Sequence, residues 1–323
     1  MKTLKAPRSW CPDRPVSKGA TAYHNVIINS SWHNQNILEL MNIVDKKIKD
    51  GDIVVDFGAG TGGSAVYLLR KLRTKFSLWL VDNSASWLSK AYELLGKNLR
   101  TRFFLLEKIK RRNSTLSESL GKEIVNHVIS ANTIHLVPNL EETLIGIYES
   151  LKPEGTFTFQ SGNIIRSDRE EGILMIDDTV KRVHEISLDI LRTNKKFKKY
   201  KTNLRNEIES EADQRKFVFP NPKPIEFYLN ILRLAGFIYK QPHYKLIKVR
   251  YKDWLNFLRV RRLQAGILPE IGGKDPSPVE EHDRDELITI ASKQLFKELE
   301  TSNRFSNDKC FTAEWVYVPA VKT

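Results

Sequence analysis

The glycine-rich stretch Phe57–Ser64 constrains the fold of this 323-residue chain more than any other. A short apolar run leads into Asp56, and four of the next seven residues are glycine. A helical apolar pattern follows directly, at Ala65, Val66, Leu68, Leu69 and Leu72. The order predicts a strand, a tight turn and a helix. Glycine suits such a turn because it tolerates positive φ angles and lets a ligand approach the backbone. The free N–H groups at the start of the helix favour a polar or anionic ligand.

A second apolar run, Phe76–Val81, ends in Asp82, which lies 22 residues after Gly60. An acid at the tip of a second strand can accept hydrogen bonds from both hydroxyls of a ribose. The alternative is an ordinary turn or N-cap aspartate. Together the glycine turn and Asp82 favour a nucleoside-containing ligand, but their spacing does not say which one.

The segment Val55–Gly62 resembles motif I of the class I S-adenosylmethionine (SAM)-dependent methyltransferases. Dinucleotide-binding turns lack an acid two residues before the first glycine, whereas this chain has Asp56 there. His127–His135 is similar to the fourth strand and following loop of that family. Leu151–Phe159 looks like its Leu-Lys-Pro-Gly-Gly turn into strand five, with Glu154 replacing a glycine. The likeness is good from Trp32 to Gly162 and looser elsewhere.

Strand and helix patterns alternate five times, which indicates a parallel sheet covered on both faces. The resemblance implies an α/β fold with a doubly wound, mainly parallel, seven-stranded Rossmann-like sheet. We expect an N-terminal arm or lid over residues 1–33 and a SAM-binding core over 34–162. A helical cap is expected after strand five, at 163–216. Residues 217–323 complete the core, with a helical insertion at 252–305 before the last strand.

The resemblance also implies a cofactor, SAM, and a product, S-adenosylhomocysteine. In a doubly wound sheet, ligands lie at the carboxyl ends of the strands. The residues expected to bind the cofactor at that edge are Asp56, Gly58, Ala59, Gly60, Gly62, Asp82, Asn83, Glu107, Ser130 and Asn132. Glu107 matches the position that faces the adenine amino group in the family, although it could also be a surface glutamate.

His135 is the best candidate for a catalytic residue, because it follows strand four closely and the family places the reacting centre there. It would act as a general base or as an acceptor ligand. The alternative is a histidine without a catalytic role, since alignment of the acceptor supplies much of the rate. Tyr23 or His24 in the N-terminal arm could fold over the cofactor, or simply pack on the sheet.

A small-molecule methyl acceptor is the first hypothesis. The chain reads Ser130–Thr133 where enzymes that methylate base amino groups carry an Asn/Asp-Pro-Pro-aromatic turn. Cys11 and Cys310 lie outside the expected core site, so neither suits a cytosine-C5 nucleophile. No cluster of metal ligands stands out, and no metal is expected. Whether oxygen, nitrogen, sulfur or carbon is methylated stays open.

The formal net charge of +13 supports an alternative function. Residues 217–262 hold ten basic and two acidic side chains. This segment could serve an RNA or tRNA methyltransferase. The competing interpretation is a solvated strand face, since Lys248 and Arg250 alternate with apolar Ile247 and Val249. A third possibility is a non-catalytic SAM-binding partner protein.

Composition predicts a cytoplasmic protein. No apolar run approaches the roughly 20 residues of a membrane span, and residues 1–8 lack the apolar core of a secretion signal. Two cysteines fit free thiols better than a disulfide framework. The sequence leaves the oligomeric state open.

Overall fold

A mainly parallel sheet forms the centre of the protein, for which a computed structural model describes residues 7–200, 215–302 and 309–323. The strands in chain order are β1 (Ile53–Phe57), β2 (Ser77–Asp82), β3 (Thr101–Leu105), β4 (Lys108–Ile109), β5 (Arg112–Asn113), β6 (Val125–Ala131), β7 (Leu151–Ser161), β8 (Ile164–Ile165), β9 (Lys223–Pro224), β10 (Phe237–Tyr239), β11 (His243–Arg250) and β12 (Cys310–Lys322). The β4–β5 and β8–β9 pairs lie outside the main sheet.

Helices cover both faces of the sheet. In chain order they are α1 (Lys18–Ile28), α2 (Ser31–Val44), α3 (Gly63–Lys71), α4 (Ala85–Leu95), α5 (Leu116–Leu120), α6 (Leu140–Ser150), α7 (Ile176–Thr193), α8 (Ile225–Leu234), α9 (Tyr251–Leu258), α10 (Arg261–Ile267) and α11 (Pro278–Ser302). Short 3-10 segments occupy Asp45–Lys47, Ile134–Leu136 and Lys195–Tyr200. Among the described residues, no helix combines the length and apolar character needed to cross a bilayer.

The sheet topology confirms the predicted doubly wound architecture. Its order is β12, β7, β6, β1, β2, β3, with β7, β6, β1, β2 and β3 parallel to their neighbours. β12 runs antiparallel to β7, and both β10 and β11 pair antiparallel with the other side of β12. The single late strand expected from the sequence is therefore two successive strands, separated by residues 240–242. The order reverses at β1, so the carboxyl ends of β1, β2 and β6 frame the crevice where ligands bind in such sheets.

Residue alternation places two apolar cores on opposite faces. Val54, Leu78 and Ile129 face one core, and their neighbours Val55 and Trp79 face the other. Strands buried on both faces read as continuous apolar runs, which is why β1 and β2 were visible in the sequence. On β11, Ile247 and Val249 are buried while Lys248 and Arg250 are exposed, as the solvated-face interpretation expects.

Part of the N-terminal arm expected over residues 1–33 is helical. Helix α1 begins at Lys18, and the Ser17 hydroxyl accepts a hydrogen bond from the Ala20 backbone N–H at 3.2 Å. Ala20, His24 and Ile27 lie one helical turn apart and are all buried. The helix is therefore held by packing of this one face rather than by a long amphipathic pattern.

The predicted cap and the predicted insertion pack against each other. Helix α7 contacts α11, where Arg182 donates from Nε and Nη2 to the two carboxylate oxygens of Glu298, each at 2.9 Å. The Trp254 indole of α9 donates to the Thr179 hydroxyl of α7 at 3.1 Å. Residues 201–214 of the expected cap lie outside the described residues. The two segments, far apart in sequence, thus contribute to a common helical layer.

One local prediction was wrong. The pattern Asn139-Leu-Glu-Glu142 predicts a capping box, and Asn139 is the N-cap of α6, but its side chain makes no capping hydrogen bond. Glu142 instead pairs with Arg112, whose Nε lies 2.9 Å from the Glu142 carboxylate. A charge from the β4–β5 hairpin competes successfully with the local backbone for this glutamate.

Tyr317 provides a test of how helix α2 is fixed to the last strand, β12. Its buried hydroxyl donates to the Asn36 side-chain oxygen at 2.8 Å. Tyr317→Phe leaves that buried oxygen without its donor, so the free energy of unfolding should fall by about 1–3 kcal/mol. Urea denaturation measures the change. Tyr239→Phe is the control, because the Tyr239 hydroxyl has no hydrogen bond within the described residues, and an equal loss in both variants would contradict the assignment.

Candidate active site

The glycine turn after β1 holds its backbone against the neighbouring strand. The N–H groups of Gly58 and Ala59 donate to the Val81 carbonyl at 2.8 and 3.0 Å. Gly58, Gly60 and Gly62 have φ angles of 73°, 54° and 81°, the left-handed region that favours glycine. A Cβ on Gly58 would lie only 2.1 Å from the Thr133 side chain. The glycines are therefore required by conformation throughout and by close approach at Gly58.

Asp82 ties this turn to the end of β2. Its Oδ2 accepts from the Gly60 N–H at 2.8 Å, and its Oδ1 accepts from the Ser84 N–H at 2.8 Å. Desolvation raises the pKa of the Asp82 carboxyl, and these N–H groups, the positive charge of Arg262 and the Asn83 N–H oppose that rise. A carboxylate oxygen can accept about two hydrogen bonds, so Asp82 retains acceptor capacity for a ligand.

Asp56 lies beneath the turn and is completely buried. Its Oδ2 accepts from the Ser64 hydroxyl at 2.7 Å, near the start of α3, and its Oδ1 has no partner in the described structure. Burial raises the pKa of Asp56 to about 7, against the hydrogen bond from Ser64, which lowers it. A buried carboxyl with an open acceptor oxygen, directly beneath a glycine turn, is suited to a donor group of a bound ligand.

The loop after β6 completes the edge. Asn132 has a φ angle of 51°, and its backbone N–H donates to the Gln160 carbonyl of β7 at 3.0 Å. Its side-chain oxygen accepts from the Trp315 indole at 3.1 Å. Thr133 donates its hydroxyl to the Gly58 carbonyl at 3.1 Å. The Thr133 bond holds the β6 loop against the glycine turn, and the Asn132 bonds fix the same loop to β7 and β12.

Ser130 and Gly62 have positions that are internal to the fold. The Ser130 hydroxyl donates to the Phe57 carbonyl at 3.0 Å, which joins β6 to β1. Gly62 is the N-cap of α3, and a Cβ there would come within 3.1 Å of the Ala91 Cβ on α4. Both residues stabilise the turn that a ligand would contact.

Two predicted residues stand at the margins of the edge. Asn83 is exposed and contributes its backbone N–H to Asp82. Glu107 lies two residues beyond the end of β3, with an exposed side chain and its backbone paired with Ser114. The described contacts do not draw the Glu107 carboxylate toward the glycine turn.

His135 lies in the 3-10 segment after the β6 loop, beside the end of β7. Its Nδ1 and the Ser161 hydroxyl are 2.9 Å apart. Burial lowers the pKa of His135 to about 4, so the ring is neutral at physiological pH. A base with such a low pKa accepts a proton weakly, which favours a hydrogen-bonding role over full proton abstraction.

Sequence reasoning missed several residues at this edge because they come from distant parts of the chain. Trp315 lies on β12 and stacks on Trp32 of α2, with ring centroids 5.8 Å apart. Gln160 is 0% exposed, and neither atom of its side-chain amide has a partner in the described structure. Of the residues in these contacts, only Asn132 was predicted, because it lies in the loop after β6 that the family resemblance indicated.

An aromatic group covers the glycine turn from outside the sheet. A Cβ on Gly60 would lie 3.5 Å from the Trp87 ring, and Tyr23 of α1 packs on Trp87 with centroids 4.4 Å apart. The Arg262 guanidinium carbon of α10 lies 4.7 Å from the Trp87 ring centroid. Neighbouring His24 contacts the turn itself, since its Nδ1 lies 3.1 Å from the Thr61 hydroxyl.

The buried acid generates a pH prediction. The pKa of Asp56 is raised from 3.8 to about 7 by burial, so its stabilising contribution is complete below pH 4 and is lost as pH rises through 7. In Asp56→Asn this part of the pH dependence should disappear. Urea denaturation of both proteins from pH 4 to 8 measures it. The unfolding free energy of the wild type, relative to the variant, should fall by a few kcal/mol over that range, and parallel curves would contradict the assignment.

Comparison with known proteins agrees with this fold. A model of the methyltransferase-domain family matches residues 48–219. The YcgJ protein from Bacillus subtilis is similar in structure, with a TM-score of 0.51, 13% identity and coverage of 90% of this chain and 99% of that one. A candidate methyltransferase from Bacillus halodurans C-125 has a TM-score of 0.50 and 14% identity, with coverage of 89% of this chain and 99% of that one. Phosphoethanolamine N-methyltransferase 2 from Haemonchus contortus, solved in complex with SAM, has a TM-score of 0.48 and 17% identity, with coverage of 94% of this chain and 56% of that one. No curated protein sequence matches the chain.

The matched family covers more than half of the chain, and the observed fold is that of the class I SAM-dependent methyltransferases. The chain belongs to that class. The match over residues 48–219 includes the glycine turn, Asp82 and the β6–β7 edge.

Proposed function

We propose that this protein transfers a methyl group from SAM to a small-molecule acceptor. The observation that carries the proposal is the shared edge formed by the glycine turn, Asp82 and the β6 loop, where hydrogen bonds join the ends of β1, β2 and β6. When bound, SAM supplies an electrophilic methyl group, so the protein's main task is to position the acceptor.

The polar groups at this edge of the sheet suit the chemistry of SAM. Asp82 is proposed to accept the ribose hydroxyls, since its oxygens point to the turn and keep acceptor capacity. The Oδ1 atom of Asp56, which has no partner in the described structure, is proposed to stabilise the positively charged amino-acid part of SAM across the glycine turn. Gly58, Ala59, Gly60 and Gly62 supply the close backbone approach, and Ser130 and Asn132 shape the neighbouring loop. Asn83 and Glu107 border the adenine end, with Glu107 the least supported by its exposed position.

A small acceptor is supported by the covering of this edge. Tyr23 and His24 of α1 lie over the turn from one side, and α9 and α10 of the insertion approach through aromatic contacts with Trp32 and Trp87. A site enclosed by side chains from several elements suits a compact ligand. The buried amide of Gln160, one strand away from Asn132, is proposed to donate and accept hydrogen bonds within the acceptor region.

His135 is proposed as a residue that orients the acceptor rather than as a strong base. Its neutral ring and its contact with Ser161 place a hydrogen-bonding group near the ends of β6 and β7. Acceptors that carry no proton to remove need nothing more than this alignment.

The alternative RNA acceptor is disfavoured because several arginines of the basic segment 217–262 form ion pairs within the protein. Arg259 pairs with Asp285 at 2.6 Å, Arg261 with Glu281 at 3.3 Å, and Arg250 with Asp253 at 2.8 Å. Glu281 and Asp285, from the last 61 residues, thus neutralise part of the segment's positive charge, and Asp253 neutralises part of it from within the segment. Phosphate binding requires lysines and arginines that are free to replace counterions.

The cofactor proposal predicts selective binding. Calorimetric titration should detect SAM and S-adenosylhomocysteine but not NAD. Asp82→Asn should weaken SAM binding by about 1.5–3 kcal/mol through loss of hydrogen bonds to a charged acceptor. Asp50→Asn is the matched control, since the Asp50 carboxylate also accepts a backbone N–H, from Lys75 at 2.8 Å, but belongs to the turn before β1. Binding of NAD alone, or equal weakening in both variants, would contradict the proposed cofactor site.

The acceptor proposal predicts which fraction of a cell extract becomes labelled. Protein incubated with methyl-labelled SAM and an extract separated by size should transfer label to molecules below about 1 kDa, and the transfer should survive nuclease treatment. His135→Ala should reduce the labelling, because it removes the residue proposed to orient the acceptor. Label that appears in RNA and vanishes after nuclease treatment would instead support the RNA alternative.

A further inference from the structure

We propose that Arg262, carried by the insertion between β11 and β12, is a positioning residue that retains the adenosyl part of the cofactor. This inference rests on the proposed SAM site and adds to it a residue from outside residues 48–219, which the family model matches. Helix α10 would then be part of the cofactor site as well as of the acceptor cover.

The position of Arg262 carries the first step. Its guanidinium carbon lies 4.7 Å from the centroid of the Trp87 ring, which is within the range of a cation–π contact. Trp87 in turn lies against the glycine turn, 3.5 Å from where a Cβ of Gly60 would be. The arginine therefore lies over the same turn whose N–H group holds Asp82.

Electrostatics supply the second step. The charge of Arg262 acts on Asp82 and on Tyr23, and it lowers the pKa of both groups against the effect of burial. Among the described residues, Arg262 forms no ion pair within 4.0 Å, although it is close enough to influence both. An arginine near a ribose-binding carboxylate keeps that carboxylate ionised and able to accept hydrogen bonds.

Helix α10 is fastened so that this arginine faces the site. On one side Arg259 forms hydrogen bonds to the Asp285 carboxylate at 2.6–3.2 Å, and Arg261 pairs with Glu281 of α11 at 3.3 Å. Leu263, the residue after Arg262, is buried in the core on the α2 side of the sheet. The residues next to Arg262 thus form contacts within the insertion and the core, whereas the Arg262 side chain contacts Trp87.

The consequence for the ligand is slower escape. A planar guanidinium over Trp87 can cover the adenosyl ligand and exclude water from its contact with Asp82. Truncating it removes the cover without removing any residue of the glycine turn. The dissociation rate should rise more than the association rate falls, as is usual for changes within one binding site.

The experiment measures SAM and S-adenosylhomocysteine binding to the full chain by stopped-flow fluorescence and calorimetry. Arg262→Ala should increase the dissociation rate about tenfold, and Arg262→Lys should lie between it and the wild type because charge is kept but planarity is lost. Arg233→Ala, which removes an exposed arginine of α8 outside the insertion, should match the wild type. Thermal unfolding without ligand should be the same for all four proteins.

A salt series separates positioning from general packing. The dissociation rate of the wild type should increase with ionic strength, and that of Arg262→Ala should depend on it less. A wild type that binds neither adenosyl ligand would overturn the proposed function. Tight binding by the wild type with an unchanged rate in Arg262→Ala, or the same acceleration in Arg233→Ala, would leave that function intact and overturn the role of Arg262.

Discussion

The candidate site depends on one carboxylate. Asp82 accepts the Gly60 N–H on one oxygen and the Ser84 N–H on the other, so it sets both the path of the glycine turn and the start of α4. The turn then holds Gly58 against Thr133, and Thr133 positions the β6 loop. Because a buried charge is costly unless it is hydrogen-bonded, Asp82 also favours any arrangement that brings donors to it. Backbone N–H groups satisfy part of this need, and a ligand with hydroxyl groups can satisfy more.

The local parts of this arrangement could be predicted from the sequence. Glycines at left-handed positions and acids at strand ends leave a pattern within a few residues, so Asp56, Gly58, Gly60 and Asp82 were all identified. The parallel sheet was equally accessible, since its buried strands form continuous apolar runs. Asn132 was predicted through the family resemblance, and the structure shows that it adopts a left-handed backbone angle, which asparagine tolerates better than most residues.

The contacts that could not be predicted join residues far apart in sequence. The Asn139 capping box failed because Arg112 attracts Glu142 from a separate hairpin. The pairing of Arg182 with Glu298, which holds the two helical segments together, has no local signature. Arg262 belonged to a basic segment whose charge suggested nucleic acid, yet several of its arginines are engaged with nearby acids. Charge counted along a chain does not reveal which charges are already neutralised within the fold.

The hydrogen bond between Trp315 and Asn132 also has a consequence for biosynthesis. Its two partners are separated by 183 positions. At about 5–20 residues per second, a ribosome needs roughly 10–40 s to make the intervening chain. During that time the β6 loop has emerged without the strand that fixes its amide. A nascent chain therefore carries the glycine turn long before it can assemble the edge around it, and a product terminated before residue 315 would contain the family's motif without this element of the finished site.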